Sequence, residues 1–214
     1  FTILTRQFIT VTQQPTSTYF ALKGIKNTHL APSLLGAFLK FYVFKRGTKT
    51  EFKEKMYRFL TFCDTEKDVK DFWKEYIGNI KPFYLEQKED DDVIISASPE
   101  FLLKPVCKRL KIKDLIASKV DMQSGKYSGI NCHGKEKVKR FYEVFPDGKI
   151  DNFYSDSYSD SPLAEIADKA FMVDGDKVES WIFLQMIFTE QITVPYFYYQ
   201  LIQTNKRAEN LISA

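Results

Sequence analysis

With 214 residues, 44% of them hydrophobic, 15% aromatic and 28% charged, the chain holds enough apolar material for one full core and a smaller lobe, which excludes disordered, collagen-like and disulfide-dense classes. Thirty-one Lys and Arg against 28 Asp and Glu leave a formal charge of only +3, spread along the chain, so no nucleic-acid partner is expected. Cys63, Cys107 and Cys132 lie in dissimilar contexts, with no C-x-x-C spacing and no His cluster to complete a zinc site. Reduced thiols in a cytoplasmic protein are the default reading.

The opening FTILTRQFITVTQQ lacks the basic, apolar and small-residue zones of a secretory signal. From Ala31 to about Lys88 the periodicity is helical: Val69, Phe72, Trp73, Tyr76, Ile77 and Ile80 repeat at the spacing that lines one helix face. Thr48 with Glu51, and Thr65 with Asp68, have the Thr-x-x-acid spacing of a helix start. Two or three helices of a small lobe follow from this pattern, with Phe72, Trp73 and Tyr76 in its core.

After the acidic run Glu89 to Asp92 the texture changes to Val93-Ile94-Ile95, a short apolar stretch typical of a strand buried on both faces of a parallel sheet. Pro99 suits the first turn of the next helix, with Phe101, Leu102, Val106 and Leu110 on its buried face. Leu115-Ile116-Ala117 reads as a strand, Asp121 to Gly129 as a hairpin turn and Lys135 to Val144 as a helix. Asp151 to Tyr154 reads as a strand entry, Leu163 to Ala170 as a helix and Ala170 to Val173 as a last short strand. Alternating short strands and helices predict an α/β fold with right-handed crossovers, whose ligands bind beyond the carboxyl ends of the strands. The stretch from Trp181 to Ile202 is aromatic and branched but broken by Gln185, Glu190, Gln191, Pro195 and Gln200. A bilayer-spanning helix wants about 20 mostly apolar residues, so a docked or partly disordered tail is expected there and no membrane contact.

Three segments fall at strand ends: Ser96-Ala97-Ser98-Pro99-Glu100, Gly134 to Lys139, and Ser155-Asp156-Ser157-Tyr158-Ser159-Asp160. Together they offer hydroxyls, an ammonium and two carboxylates. Phosphoryl transfer uses such a kit, because it is mostly positioning plus neutralisation of charge on the phosphoryl oxygens. Taken singly, a Ser after a strand is more often a helix cap, a Lys in K-E-K-V-K-R a solvated residue, and an Asp-x-x-x-Asp pair surface charge. Their order, and their common placement after strands, favours the chemistry. Neighbouring Cys132 and His133 suggest a metal pair, but adjacent residues point apart on a strand and no further metal-ligand spacing follows in the sequence, which favours a structural role.

That ordered set resembles the haloacid dehalogenase-like hydrolase superfamily, and within it the phosphoserine-phosphatase-like branch. VIISASPEFLLKPVCKRL matches the family's second motif, NCHGKEKVKRF looks like its third and FYSDSYSDSPLAEIADKAFMVDGD like its fourth; the resemblance covers about Leu30 to Trp181. It implies a Rossmann-like parallel sheet core from 1–30 and 86–180 and an inserted small α-helical cap over 31–85; 181–214 is a tail of unknown role outside the resemblance. It also implies a Mg²⁺-dependent phosphomonoesterase acting on a small phosphorylated metabolite. By that resemblance Ser96 contacts the transferring phosphoryl group, Lys137 balances its charge, and Asp156 and Asp160 hold or orient Mg²⁺. Ser98 and Ser157 are secondary candidates. Lys135 is the alternative for the ammonium role; Val138 and Phe141 at helical spacing favour Lys137.

One departure stands out. The family's nucleophile is an Asp in an Asp-x-Asp-x-Thr motif at the end of the first strand, and the expected place, Arg6 to Thr10, contains no carboxylate; the first acidic residue of the chain is Glu51. Back-translating Phe1 to Leu30 and reading from the third base of each codon allows Y-D-F-D-K-T-I, then D-S-T-x-D-F-Y-L-F-C and K-R-Y-K-x-H-P. This text resembles the family's first motif and the start of its cap. A frameshift in the N-terminal segment accounts for the missing nucleophile, and the chain as written is expected to be catalytically inactive. The alternative is a silent module that binds phosphate or a phosphorylated metabolite. Thr2-Ile3-Leu4 and Phe8 to Val11 keep strand-like composition, so an improvised strand can fill the central slot.

Overall fold

Val93-Ile94-Ile95 lies at the heart of the longest buried strand in the computed structural model of the protein, which describes residues 2–5, 31–44 and 46–182. That strand, β2 (Val93–Pro99), lies between β1 (Thr2–Thr5) and β3 (Asp114–Ser118). The sheet continues on the other side of β1 through β4 (Ile150–Ser155), β5 (Ala167–Asp174) and β6 (Lys177–Ser180), in the order β3-β2-β1-β4-β5-β6. The first five strands in this row are mutually parallel, and β6 runs antiparallel to β5 at the edge. The fold is α/β with a parallel sheet, and Thr2–Thr5 does fill the central slot.

Between β1 and β2 the described chain is helical: α1 (Ala31–Phe38), a π turn (Leu39–Val43), α2 (Lys49–Tyr57), α3 (Thr65–Tyr76) and α4 (Pro82–Gln87). Thr48 caps α2 as expected, its hydroxyl accepting from the Glu51 amide at 3.1 Å. The cap of α3 is one residue earlier than the Thr-x-x-acid spacing suggests. Asp64 accepts from the Lys67 amide at 3.1 Å, while the Thr65 hydroxyl donates to the Met122 carbonyl at 2.8 Å. A carboxylate is at least as good a cap as a hydroxyl, and Thr65 is thereby released for a long-range bond.

After β2 come α5 (Glu100–Arg109), α6 (Lys135–Val144) and a short α7 (Ser161–Ala164). Pro99 caps α5 from just outside its first turn. The helix expected over Leu163 to Ala170 is a correction: α7 stops at Ala164, and the chain from Ala167 pairs beside β4. Leu163, Ile166, Ala167 and Ala170 repeat at helical spacing, but a free edge of β4 offers a full ladder of backbone hydrogen bonds that a second helical turn does not. The last strand is accordingly longer than expected, and β6 is an addition; its residues are exposed and carry no hydrophobic signal.

Phe72, Trp73, Val69 and Tyr84 of the helical segment share one apolar cluster with Leu102, Leu103 and Val106 of α5 and with Ile94 of the sheet. The helices therefore do not keep a core to themselves. Ile94 faces this cluster, while Val93 and Ile95, also buried, point to the opposite face by the alternation of a strand. The Trp73 indole N–H donates to the Leu102 carbonyl at 2.6 Å and ties α3 to α5. Residues up to Trp181 cluster as one compact unit. Trp181, the first position of the expected tail, is buried and lies edge-on to Phe153 and Tyr158; the rest of that tail from residue 183 lies outside the described residues.

The predicted turn at Asp121 to Gly129 is present. Val120 bridges to Tyr127, and the Asp121 carboxylate accepts from the Gln123 and Ser124 amides at 3.2 and 2.7 Å. The Ser124 hydroxyl donates to the same oxygen, and these bonds hold the Asp121 carboxyl below the usual carboxylate range. Gly125 has φ +72°, and a Cβ there would sit 2.4 Å from the Tyr57 carbonyl oxygen of α2. Gly125→Ala is expected to cost about 1–3 kcal/mol in backbone strain alone, with the clash in addition. A drop in denaturation midpoint checks this; an unchanged midpoint contradicts the packing of α2 on this turn.

At the opposite end of β2, Asp92 is 2% exposed. Burial pushes its carboxyl up to about 6, opposed by the Glu89 amide, which donates to Oδ2 at 3.2 Å. The folded state thus binds this proton more tightly than the unfolded state. The resulting stability is present below the ordinary value of 3.8 and is lost as pH rises through about 6. Asp92→Asn keeps the acceptor and removes the charge, so its advantage in Tm over the native chain is expected to widen from pH 5 to pH 8. A constant difference would show that Asp92 ionises without cost.

Candidate active site

The strand register brings three chain ends level. Thr5 pairs with Ile95 of β2, and Leu4 with Tyr154 of β4, so Ser96, the end of β1 and Ser155 lie side by side at the carboxyl edge. Neighbouring strands are about 4.8 Å apart, which places Ser96 and Ser155 about 10 Å apart across β1. Residues 6–10, where the carboxylate nucleophile was expected, lie outside the described residues.

Lys137 comes to this edge from the first turns of α6. Gly134, with φ +59°, turns the chain into the helix, and the Lys137 amide bonds back to the Gly134 carbonyl at 3.0 Å. The Lys137 side chain is fully buried and its Nζ lies 2.8 Å from Asp160 Oδ1, itself fully buried. Lys135 is exposed. Of the two sequence candidates, only Lys137 reaches the acidic segment. Asp160 is fixed in turn by the Ser155 hydroxyl, which donates to Oδ2 at 2.8 Å. Each buried charge has a partner, as a dry interior requires.

Ser96 is 3% exposed. Its hydroxyl oxygen accepts from the Ser98 amide at 3.1 Å, and among the described residues it donates to nothing, so its proton is available to an oxygen-bearing ligand. Ser98 itself is half-buried. Asp156 follows Ser155 at the end of β4 and is also half-buried. Ser157 turns back on its own segment: its amide donates to Ser155 Oγ at 3.2 Å and its hydroxyl lies 3.0 Å from that of Ser159. The structure thus joins Lys137, Asp160 and Ser155 directly. Ser96 and Asp156 are related to them through the sheet, on either side of β1.

Four residues that sequence reading passed over complete the surroundings. Ser118, at the end of β3 and fully buried, has its hydroxyl within 3.2 Å of both the Ala97 carbonyl and Asn131 Oδ1, and it accepts from the Cys132 amide at 3.0 Å. Lys53 reaches down from α2, its Nζ 2.8 Å from the Ala97 carbonyl and 2.9 Å from Asn131 Oδ1. Arg140 on α6 donates to the Ala117 carbonyl at 2.9 Å and to the Ile130 carbonyl at 2.5 Å, with Glu136 at 3.0 Å from Nε. No local pattern announces any of these, because each partner is more than ten residues away except Glu136 and Ile130. Cys132 is buried among them; burial pushes its thiol up, which argues against a thiolate nucleophile. None of the three cysteines is disulfide-bonded. A separate cavity of about 350 Å³, lined by Lys40, Phe41, Arg46 and Phe52 among others, lies within the helical segment and includes none of these residues.

A family model for haloacid dehalogenase-like hydrolases matches residues 10–165. The chain belongs to this family. Protein CicA of Caulobacter vibrioides, in strains NA1000 / CB15N and ATCC 19089 / CIP 103742 / CB 15, is 35% identical over 83 residues. That match covers 36% of this chain and 37% of CicA, so the chain spans well under half the length of these relatives. Among solved structures, a crystal structure of a protein with unknown function from Bordetella pertussis Tohama I superposes with a TM-score of 0.58 at 17% identity, over 79% of this chain and 87% of the other. It shows a shared fold. A phosphoserine phosphohydrolase-like protein from Francisella tularensis subsp. tularensis SCHU S4 superposes with a TM-score of 0.48 at 17% identity, over 79% and 85%. Among the described residues no helix is long and apolar enough to cross a membrane.

Haloacid dehalogenase-like hydrolases typically use Mg²⁺, and the donors at this edge suit a hard cation, since carboxylate and hydroxyl oxygens are the ligands it takes. No group of three or more His, Cys, Asp or Glu residues gathers among the described residues, and Asp160 is committed to Lys137 and Ser155. Asp156, half-buried at the end of β4, is the second carboxylate at this edge. That fits an ion that keeps several waters and takes one or two carboxylates plus phosphate oxygens.

Proposed function

We propose that the carboxyl edge of β1, β2 and β4 is the phosphoryl site of a phosphomonoester hydrolase of the phosphoserine-phosphatase type, acting on a small phosphorylated metabolite. The buried Lys137–Asp160 pair, at 2.8 Å, carries this reading. A lysine ammonium is costly to bury, and its position at the strand ends of an α/β sheet is where anionic ligands bind. In this reading the Ser96 hydroxyl donates to one phosphoryl oxygen, and Ser98 lines the turn beside it. The Lys137 ammonium offsets charge on another oxygen, while Asp160 holds that ammonium in place through its bond to Ser155. Asp156 would ligate Mg²⁺, which supplies neutralisation of phosphoryl charge when bound. The helices of 31–85 act as the cap that limits water and substrate access.

The hydrolytic route of the family needs a carboxylate nucleophile that forms an aspartyl-phosphate, and residues 6–10 read Arg-Gln-Phe-Ile-Thr. That observation favours a second reading for the chain as written: a phosphate-binding module without turnover. Incubation with Mg²⁺ and 4-nitrophenyl phosphate separates the two. The expected result is binding of 4-nitrophenyl phosphate without release of nitrophenol. Release that is abolished by Asp156→Asn would overturn the silent reading and leave the hydrolase.

A further inference from the structure

A second polar centre stands on the β3 side of Ser96, away from Asp156. Asn131 is 3% exposed. Its backbone N–H donates to Thr50 Oγ1 of α2 at 3.2 Å, and its side-chain oxygen is within 2.9 Å of Lys53 Nζ and 3.2 Å of Ser118 Oγ. The Lys53 ammonium only donates, so it fixes which end of the carboxamide is oxygen. The other end, the Nδ2 amide, is buried without a hydrogen-bond partner among the described residues. Buried donors are nearly always paired, and one that is not calls for a ligand or another specific cause. Lys53 and Ser118 also bond the Ala97 carbonyl, so the carboxamide is anchored beside the Ser96-Ala97-Ser98 turn.

The geometry points to Asn131 as a substrate-contact residue whose Nδ2 amide donates to an oxygen on the alcohol part of the phosphomonoester. This rests on reading the strand edge as a phosphoryl site. The sheet order β3-β2-β1-β4 puts the phosphoryl centre between Ser96 and Asp156, over β1. Asn131 lies outside that span, beside β3 and beneath α2, where the remainder of a bound ester would extend. The substrate class that fits carries a hydrogen-bond-accepting oxygen, such as a carboxylate, a few bonds from the ester oxygen. Lys53 is then a positioning residue: it orients the carboxamide and links the helical segment to the turn that holds Ser96.

Three probes test the assignment in the full chain: inorganic phosphate, ethyl phosphate and phosphoglycolate, which adds a carboxylate. In the native chain phosphoglycolate is expected to bind at least tenfold more tightly than ethyl phosphate, and to shift the Asn131 side-chain amide resonances in ¹H–¹⁵N spectra, whereas ethyl phosphate leaves them in place. Asn131→Asp keeps an acceptor for Lys53 and removes the donor; it is expected to erase the preference while inorganic phosphate affinity stays within threefold. Equal binding of the two esters by the native chain, or phosphoglycolate binding with unmoved Asn131 resonances, overturns the role of Asn131 and leaves the phosphoryl site standing. Failure of all three probes, inorganic phosphate included, overturns the phosphoryl site and this inference with it.

Discussion

Lys137→Met is expected to destabilise the fold by about 3–5 kcal/mol, the cost of removing one partner of a buried ion pair. The two side chains are fully buried at 2.8 Å, so among the described residues the variant leaves the Asp160 carboxylate with the Ser155 hydroxyl alone to compensate. The double variant Lys137→Met/Asp160→Asn removes both charges and is expected to recover most of the loss, since a neutral pair of similar volume is often no worse than the ions it replaces. Denaturant titration of the two variants and of Asp160→Asn closes the cycle. Additive losses would show that the two groups do not couple.

A gain of function is the second large effect. The end of β1 lies between Ser96 and the Ser155-Asp156 turn, level with both in the register. A carboxylate supplied just beyond it would face a phosphoryl group held by Ser96 and Lys137. Replacing residues 1–30 with the shifted-frame text that begins Y-D-F-D-K-T-I is expected to raise hydrolysis of 4-nitrophenyl phosphate on the order of 10⁶-fold over the chain as written, the scale on which losing a nucleophile reduces turnover. Asp156→Asn in that chimera is expected to return it toward background. Sequencing the coding DNA across the segment gives an independent check: an in-frame read without a compensating shift contradicts the frameshift.

The elements that could be read from sequence are those whose signal is local. Lys135–Val144 emerges with its predicted bounds, because one apolar face and a preceding glycine specify a helix without outside help. Val93-Ile94-Ile95 is buried, as a short apolar run in the middle of a parallel sheet is expected to be. Leu163 to Ala170 misled for a physical reason: its spacing suits a helix, yet the open edge of β4 claimed it from Ala167. Strand β6 has no apolar alternation and exists because β5 offers an edge to pair with. At the proposed site, Ser96, Lys137, Asp156 and Asp160 are candidates through their order along the chain and the family resemblance. That Lys137 pairs with Asp160, and that Lys53 and Ser118 each reach both the Ala97 carbonyl and Asn131 Oδ1, follows only once the chain is folded. These contacts join residues up to 78 positions apart, and a polar side chain looks the same in sequence whether it faces water or a buried partner.

Titration of inorganic phosphate into the native chain, followed by calorimetry or ³¹P NMR, tests the central claim most directly. The account predicts one phosphate bound per chain. Binding is expected to be at least about tenfold weaker in Ser96→Ala, for the loss of a hydrogen bond to a charged group, and abolished in Lys137→Met/Asp160→Asn with the cooperative unfolding transition retained. Phosphate binding of native strength in both variants, or none in the native chain, would contradict it.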